Sequence, residues 1–255
     1  MEPFVYMELF GGLGNQIFQF CAAYTIAKYN KSPLFLRNSI NNYHNTKNFN
    51  YIKLLFTDAI ESEEPPGECL YYAQANSPFS SWHPQTIRAP CRIDGYFQYY
   101  PTIEPSLSEL IPKFRQALAI HHTTNTVMMH VRRGDYVEKA EIHYLQGPEY
   151  YYAAYKHLNQ ILQALPPKVL VFSDEIDWCK NQAWIQAIPN VDFYENSNEL
   201  ETLAEMARCG GGAIIANSTF SWWGAMLSQT PYVYYPSKWI SMPVENLFPI
   251  HWVCI

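Results

Sequence analysis

The sequence lacks the features that define several large classes of protein. Its six cysteines are scattered and form no CxxC pair, which excludes the usual spacing of a zinc site and favours reduced thiols in an intracellular compartment. No apolar run approaches the length of about 18 residues that a membrane span needs. The net charge of -6 gives no positive field for nucleic acid. We therefore expect a cytoplasmic protein with no membrane span and no nucleic-acid partner.

Common nucleotide-binding signatures are also missing. The glycine-rich segment at 11–14 would need a further glycine at position 17 to match a dinucleotide fingerprint, and Ile17 stands there. The phosphate-loop pattern does not occur. No two aspartates are spaced as DxD, so a divalent metal that bridges a diphosphate would lack its usual carboxylate pair. A bound diphosphate would therefore depend on cationic side chains and helix ends, with no metal and no other cofactor.

Apolar and aromatic residues are abundant, and their periodicity alternates between strand and helix. The first part of the chain predicts a strand at 4–10, a helix at 16–29 and a strand at 33–37. Prolines break up residues 38–125, where we expect irregular structure with short helices, one of them at 106–120 and capped by Ser106 or Ser108.

The second half alternates more regularly. It predicts strands at 126–132, 168–172, 191–194, 213–216 and 231–235, and helices at 148–165, 175–186, 198–209 and from Asn217 to Leu227. This alternation is typical of an α/β fold with parallel sheets. We place the boundary between two α/β units near residues 121–125, which gives domains 1–122 and 123–255.

The most distinctive segment is His130-Val131-Arg132-Arg133-Gly134-Asp135, which ends an apolar strand. Ligands bind at the ends of strands in open α/β sheets, and paired guanidiniums suit a diphosphate. An extended chain places His130 and Arg132 on one side and Arg133 on the other, whereas a turn at Gly134 would bring both arginines onto one ligand. Two other interpretations are a surface ion pair with Asp135 and an Arg-Gly-Asp adhesion motif on an exposed loop.

Three other polar segments follow predicted strands, and each has a structural and a functional interpretation. Gly11 to Gln16 forms either a tight turn with Asn15 as the helix N-cap, or a loop whose N–H groups approach a ligand. Ser173 and Asp174 either cap a helix or bind nucleotide hydroxyls and base. Asn217, Ser218 and Thr219 either cap a helix whose Trp222 and Trp223 fill the core, or bind a pyrophosphate at the helix N-terminus.

Taken together, these motifs resemble the α-1,2-fucosyltransferase family, glycosyltransferase family 11. The resemblance rests on GGLGNQ at 11–16, HVRRGDY at 130–136, FSDEIDWCK at 172–180 and NSTFSWWGA at 217–225, in the family's order and spacing. We expect a compact form without the membrane anchor and stem of animal members. The chain therefore resembles a soluble form from the cytoplasm of a bacterium or a virus-infected host cell.

The resemblance implies a GT-B-like fold with two Rossmann-like doubly wound units facing a cleft. The first unit would lie on the acceptor side and the second would bind GDP-fucose. The implied reaction is an inverting, metal-independent transfer of L-fucose to the 2-hydroxyl of a terminal β-galactoside glycan. The alternatives are a fucosyltransferase with another acceptor, such as a protein hydroxyl or a different sugar, and a non-catalytic glycan-binding or adhesion protein.

The resemblance also implies roles for single residues. Arg132 and Arg133 would take the donor diphosphate, while the loop around them would be shaped by His130 and Asp135. The remaining donor-binding residues would be Ser173, Asp174 (facing the guanosine), Asn217, Ser218 and Thr219, and the acceptor-side residues Gly14, Asn15 and Gln16. The catalytic set would be Arg132, Arg133, Asp135 and Asn15. Asp135, Glu138 and Glu141 are all near the arginine motif, and the motifs do not decide which of them, if any, is a general base.

Overall fold

The computed structural model describes residues 2–38, 50–74, 77–162 and 167–255. The chain forms two compact units. The first runs to Ala117 and includes Glu245–Pro249, and the second comprises Leu118–Val244 and Ile250–Ile255. The α/β class with parallel sheets is confirmed. The roles assigned to the predicted domains 1–122 and 123–255 stay predictions.

The first unit contains a five-stranded parallel sheet. Its elements are β1 (Val5–Leu9), α1 (Leu13–Asn30), β2 (Leu34–Asn38), α2 (Tyr51–Leu54), β3 (Ile60–Glu61), β4 (Leu70–Ala73), β5 (Cys91–Asp94) and α3 (Tyr100–Ala117). The strand order is β3-β2-β1-β5-β4. The chain leaves β1 for β2 on one side, while β5 pairs with β1 on the other side. The carboxyl ends of β1 and β5 therefore form a topological switch point.

Residues 50–120 are more regular than the prolines suggest. Helix α3 starts at Tyr100, six residues before the predicted helix, and it contains Pro105 and Pro112. Ser106 is not an N-cap, because it lies inside α3 and its hydroxyl is 2.8 Å from that of Thr25 in α1. The apolar stripe Ile103, Leu107, Leu110 and Phe114 is buried, and this packing outweighs the unfavourable prolines. The strands β3 and β4 were missed because they are only two and four residues long, which is too short to show a periodicity, and most of their residues are exposed.

The second unit contains a six-stranded parallel sheet. Its elements are β6 (Thr126–Val131), α4 (Gly134–Glu138), α5 (Pro148–Leu162), β7 (Lys168–Ser173), α6 (Ile176–Lys180), α7 (Ala183–Gln186), β8 (Val191–Phe193), α8 (Glu199–Arg208), β9 (Gly212–Ile214), α9 (Thr219–Ser228), β10 (Val233–Tyr235) and β11 (Val253–Cys254). The predicted helix over 175–186 is wrong, since two short helices occupy it. The predicted helix over 148–165 corresponds to α5, and its predicted end at Leu165 lies outside the described residues.

The strand order of this sheet, β8-β7-β6-β9-β10-β11, is that of dinucleotide-binding folds, with the switch point between β6 and β9. Val127, Met129 and Val131 of β6 pack into a core with α5, α6 and α7 on one face. Met128 points to the other face, where its sulfur lies near Gly224 of α9. The segments after β6, β7 and β9 are the three polar motifs of this half of the sequence, so parallel pairing brings them to one edge.

Among the described residues, none of the helices combines the length and apolar character that crossing a bilayer requires.

Candidate functional site

A cavity of about 610 Å³ opens at the carboxyl ends of β6, β7 and β8. This volume falls within the range of about 300–1,000 Å³ that is typical of small-molecule sites. The side chains around it come from the ends of three strands, from the loops that follow them and from α6, α8 and α9: His130, Arg132, Phe172, Ser173, Asp174, Ile176, Tyr194, Glu195, Asn196, Ser197, Glu199, Thr202, Met206 and Phe220. It therefore lies where open α/β sheets bind ligands.

Arg132 lines this cavity between two carboxylates. One terminal nitrogen, Nη2, is 2.6 Å from Oδ1 of Asp135, and the other, Nη1, is 2.9 Å from Oδ2 of Asp174. The guanidinium also lies over the ring of Tyr136, with its central carbon 5.1 Å from the ring centroid. Because a guanidinium has five N–H donors, these two ion pairs orient the group and leave donors for an anion in the cavity.

Arg133 lies on the opposite side of the strand end. Its Nε donates to Glu175 at 2.8 Å, and its guanidinium stacks on Trp178 of α6 at 3.6 Å from the ring centroid. It does not line the cavity. Of the two arginines, only Arg132 borders the cavity, and the convergence of both on one ligand stays a prediction. The alternation of the strand persists past Val131, so Arg133 stays on the face that α6 covers.

Asp174 stabilises the loop that carries both arginines. Its Oδ1 accepts a hydrogen bond from the backbone N–H of Arg133 at 2.9 Å, while Oδ2 pairs with Arg132. A Cβ atom at Gly134, whose φ is 23°, would overlap the Asp174 carboxylate. Glycine therefore permits the close approach of the two segments. Asp174 borders the cavity, and its carboxylate is engaged within the protein; its role towards a guanosine stays a prediction.

The Arg133-Gly134-Asp135 tripeptide is not displayed as an adhesion motif. Arg133 is stacked on Trp178, and Asp135 is paired with Arg132 and, at 3.5 Å, with Lys139. Burial raises the pKa of the Asp135 carboxyl, but attraction by Arg132 and Lys139 outweighs it and the net pKa is lowered. A carboxylate with a lowered pKa is a poor general base near neutral pH, so this environment favours a positioning role for Asp135.

His130 contributes a neutral imidazole to the cavity. The side chain is 4% exposed, and burial together with the adjacent charge of Arg132 lowers its pKa to about 3. Within the described residues, its Nδ1 has no hydrogen-bond partner. A neutral imidazole has one N–H donor and one nitrogen acceptor, so His130 can hydrogen bond to an uncharged part of a ligand.

This burial predicts a pH effect on stability. Unfolded His130 would titrate near 6.5 and folded His130 near 3, so only the unfolded state binds this proton between those values. The free energy of unfolding should therefore fall as the pH drops below about 6.5, by up to about 1.4 kcal/mol per pH unit from this group. Urea unfolding of the wild type and of His130→Gln at pH 7, 6 and 5 measures the difference. Equal pH slopes for the two proteins would contradict the assignment.

The segment Asn217-Ser218-Thr219 performs a different task at each position. The Asn217 amide is buried and donates to the backbone carbonyls of Tyr144 and Trp239, at 2.9 and 2.8 Å. It therefore links two surface loops to the end of β9.

Ser218 is the N-cap of α9, yet its side chain makes no capping hydrogen bond, and Thr219 is the first residue of the helix. Both aromatic residues that follow, Trp222 and Trp223, are fully buried, which confirms their interpretation as core residues.

In the first unit, GGLGNQ forms the turn from β1 into α1. Helix α1 begins at Leu13, so Asn15 lies inside it and is not its N-cap. Gln16 is buried and its Nε2 donates to the carbonyl of Gly11 at 2.9 Å, which closes the turn. Asn15 is partly exposed and its Oδ1 accepts from Gln98 at 3.0 Å. The buried positions of Gly14 and Gln16 indicate support of the turn, and the acceptor-side role of these residues stays a prediction.

The loop after β8 is the part of the site that sequence reasoning missed. Residues 194–197 line the cavity together with Thr202 of α8. Asn196 donates to Glu201, and Asn198 caps α8 by accepting from the backbone N–H groups of Leu200 and Glu201. The signal was available, because Tyr-Glu-Asn-Ser follows a predicted strand in the same way as Ser-Asp follows β7.

The described residues contain no group of three or more His, Cys, Asp or Glu side chains arranged to hold a metal ion. Independence from metals stays a prediction.

Comparison with known proteins agrees with the motif resemblance. A profile of Glycosyl transferase family 11 matches residues 5–253. An α-1,2-colitosyltransferase from Escherichia coli is 36% identical over an alignment of 143 residues that covers 52% of this chain and 48% of that protein. The alignment thus spans about half of that relative. The O-antigen biosynthesis glycosyltransferase WbnK from Escherichia coli is 26% identical over 293 residues, covering 93% of this chain and 95% of that protein.

Solved structures share the fold. A member of glycosyl transferase family 9 from Veillonella parvula superimposes with a TM-score of 0.54 and 10% identity, covering 100% of this chain and 87% of that one. The fucosyltransferase NodZ from Bradyrhizobium gives a TM-score of 0.52 and 13% identity, covering 91% of this chain and 95% of that one. At these identities the likeness concerns the fold alone, and it supports the GT-B-like class with two parallel sheets.

Proposed function

Because the chain belongs to glycosyl transferase family 11, we propose that it transfers L-fucose from GDP-fucose to the 2-hydroxyl of a terminal β-galactoside. The proposed transfer inverts the anomeric configuration and needs no metal. The observation that carries the proposal is the Arg132 guanidinium, which lines the large cavity of the second unit while Asp135 and Asp174 fix its direction.

Charge development in the reaction explains why such an arginine is useful. Breaking the bond between fucose and phosphate leaves negative charge on GDP and oxocarbenium character on the sugar. A cation that is already oriented stabilises the leaving diphosphate without reorganising during the reaction. Arg132 is oriented by two ion pairs before any ligand arrives, so it meets this requirement.

The N-terminus of α9 supplies a second stabilising group. Ser218 and Thr219 begin this helix, and the Ser218 hydroxyl makes no capping hydrogen bond to it. The helix dipole favours a phosphate at such a position. We assign the pyrophosphate to the region between Arg132 and the start of α9, at the switch point of the sheet.

The uncharged polar groups on the other side of the cavity suit the nucleoside, and Glu195 and Glu199 add acceptors there. His130 is neutral, and Tyr194, Asn196 and Thr202 add an aromatic ring, an amide and a hydroxyl. We assign the guanosine to this side of the cavity, where Phe172 and Phe220 add apolar surface. Ser173, whose hydroxyl accepts from the backbone N–H of Glu175 at 3.0 Å, borders the same space.

The test of the proposed function is also a prediction about metals. The enzyme should release GDP from GDP-fucose when lactose or N-acetyllactosamine is present, at the same rate with and without EDTA. The physical reason is that Arg132 and the α9 N-terminus supply the charge that a metal bridge would otherwise provide. A coupled assay of GDP release measures the rate. A loss of activity in EDTA that Mg²⁺ or Mn²⁺ restores would overturn metal independence, and failure to bind GDP would overturn the donor assignment.

A second candidate function differs in the donor sugar. The α-1,2-colitosyltransferase relative is 36% identical over half of this chain, so a colitose donor is the specific alternative to fucose. Colitose differs from L-fucose by the absence of the 3-hydroxyl. Turnover of GDP-fucose and GDP-colitose at equal concentrations, with the same β-galactoside, decides between them.

Other acceptors and a purely glycan-binding role are the remaining alternatives. An acceptor panel that includes serine and threonine peptides and several monosaccharides separates the transferases, and NMR of the product establishes the linkage and the anomeric configuration. Calorimetry with GDP separates a transferase from a lectin, because a lectin should bind glycans and ignore GDP.

A further inference from the structure

A second, smaller cavity lies in the first unit. It measures about 230 Å³ and is lined by Glu8, Phe10, Arg92, Ile93 and Asp94. These residues belong to β1, to β5 and to the turn after β1, which are neighbours in the sheet. The cavity therefore sits at the switch point of the five-stranded sheet, which is where open α/β sheets bind ligands.

The polar groups of this cavity are held in place but are incompletely paired. Nη2 of Arg92 is 3.8 Å from Oε2 of Glu8, which is longer than a hydrogen bond. The Nε of Arg92 is buried and has no partner among the described residues. The same guanidinium lies between the rings of Tyr6 and Tyr71, with its central carbon 5.8 and 5.9 Å from their centroids. Arg92 therefore retains N–H donors for a ligand.

The acidic side of the cavity is positioned in a similar way. The hydroxyl of Tyr71 donates to Oδ2 of Asp94 at 2.9 Å, which leaves acceptor capacity on the carboxylate. Phe10 contributes an apolar ring that packs edge-on against Tyr96, with centroids 4.7 Å apart. Two carboxylates, one guanidinium and an aromatic ring therefore surround a small space.

This set of groups selects the chemical class of the ligand. Among the side chains that line the cavity, two carboxylates face one guanidinium, so the lining has no excess of positive charge for a phosphate or another anion. Sugar hydroxyls both donate and accept, so they match carboxylates and a guanidinium together, and the apolar side of a pyranose matches an aromatic ring. The volume is below the range of drug-sized sites and admits about one ring.

We propose that the cavity formed by Glu8, Phe10, Arg92 and Asp94 binds a neutral pyranose of the acceptor glycan. The proposal rests on the proposed function, since that function supplies the reason why this chain binds a neutral sugar. It assigns the recognition of the acceptor to side chains outside the GGLGNQ turn.

The experiment compares Asp94→Asn and Arg92→Gln with the control Glu63→Gln. Glu63 is a carboxylate of the same unit that pairs with Arg37 and does not line the cavity. The expected result is a KM for lactose that rises by about 10- to 100-fold in the two cavity variants, the range for losing hydrogen bonds to a charged group. The KM for GDP-fucose, the affinity for GDP and the rate of acceptor-free GDP-fucose hydrolysis should stay within twofold.

Saturation-transfer NMR with lactose, N-acetyllactosamine and galactose provides a readout that does not need catalysis. We expect signals for a neutral sugar with the wild type and the control, and much weaker signals with Asp94→Asn. An unchanged KM for lactose and unchanged NMR signals in folded cavity variants would overturn the subsite, as would the absence of binding of all three sugars to the wild type. If the wild type does not bind GDP, the proposed function fails instead, so the two failures are distinguishable.

Discussion

Arg132→Ala should lower the rate of sugar transfer by about 100- to 1,000-fold, the range measured for removing one preorganised donor to a developing anion. The guanidinium is the cation that lines the cavity, and two carboxylates fix its direction. Because the charge on the diphosphate grows as the glycosidic bond breaks, kcat should fall more than the affinity for GDP. Initial rates of GDP release and calorimetry with GDP measure the two effects.

Arg133 is the matched control for this prediction, because it is the adjacent residue with the same side chain. Its guanidinium stacks on Trp178 and pairs with Glu175, on the face away from the cavity. Arg133→Ala should therefore lower the thermal stability, through the loss of that packing, and reduce kcat less than Arg132→Ala does. Equal losses of kcat in the two folded variants would contradict this division between the arginines.

Asp174→Asn should lower kcat by about 10- to 100-fold, although we do not assign this residue to the reacting atoms. Its carboxylate pairs with Arg132 and accepts from the backbone of Arg133, so it sets the position of the guanidinium. A misplacement of about 1 Å at a reacting centre can cost a factor of 100. Asparagine retains one acceptor oxygen and the size of the side chain, but it cannot form the ion pair.

A double-mutant cycle distinguishes positioning from a direct contact. If Asp174 acts through Arg132, the effects of Asp174→Asn and Arg132→Ala on kcat should not add, because the second change removes the group that the first one displaces. Asp177→Asn serves as the control, since Asp177 lies in the same segment, is exposed and is 3.5 Å from Lys180. Additive losses from the pair would show that Asp174 contributes independently of Arg132.

The alternation of apolar residues predicted the second unit well. Val127, Met128 and Met129, for example, form a continuous apolar run, which is typical of a strand that is buried on both faces. The first unit was harder to predict. Helix α3 contains two prolines, and the exposed strands β3 and β4 are too short for their apolar residues to show a period. In both cases the contacts that stabilise these elements are made with residues distant in the sequence.

By itself the sequence determined that the chain is an α/β protein and that an arginine pair ends a central strand. It also determined the family, because four motifs occur in a fixed order. Only the tertiary structure decided which arginine lines the cavity. The two side chains leave opposite faces of β6, and what they meet depends on Trp178 and Asp174, more than 40 residues away along the chain. Parallel pairing brings those segments to one edge of the sheet, and local periodicity does not encode which side chains meet there.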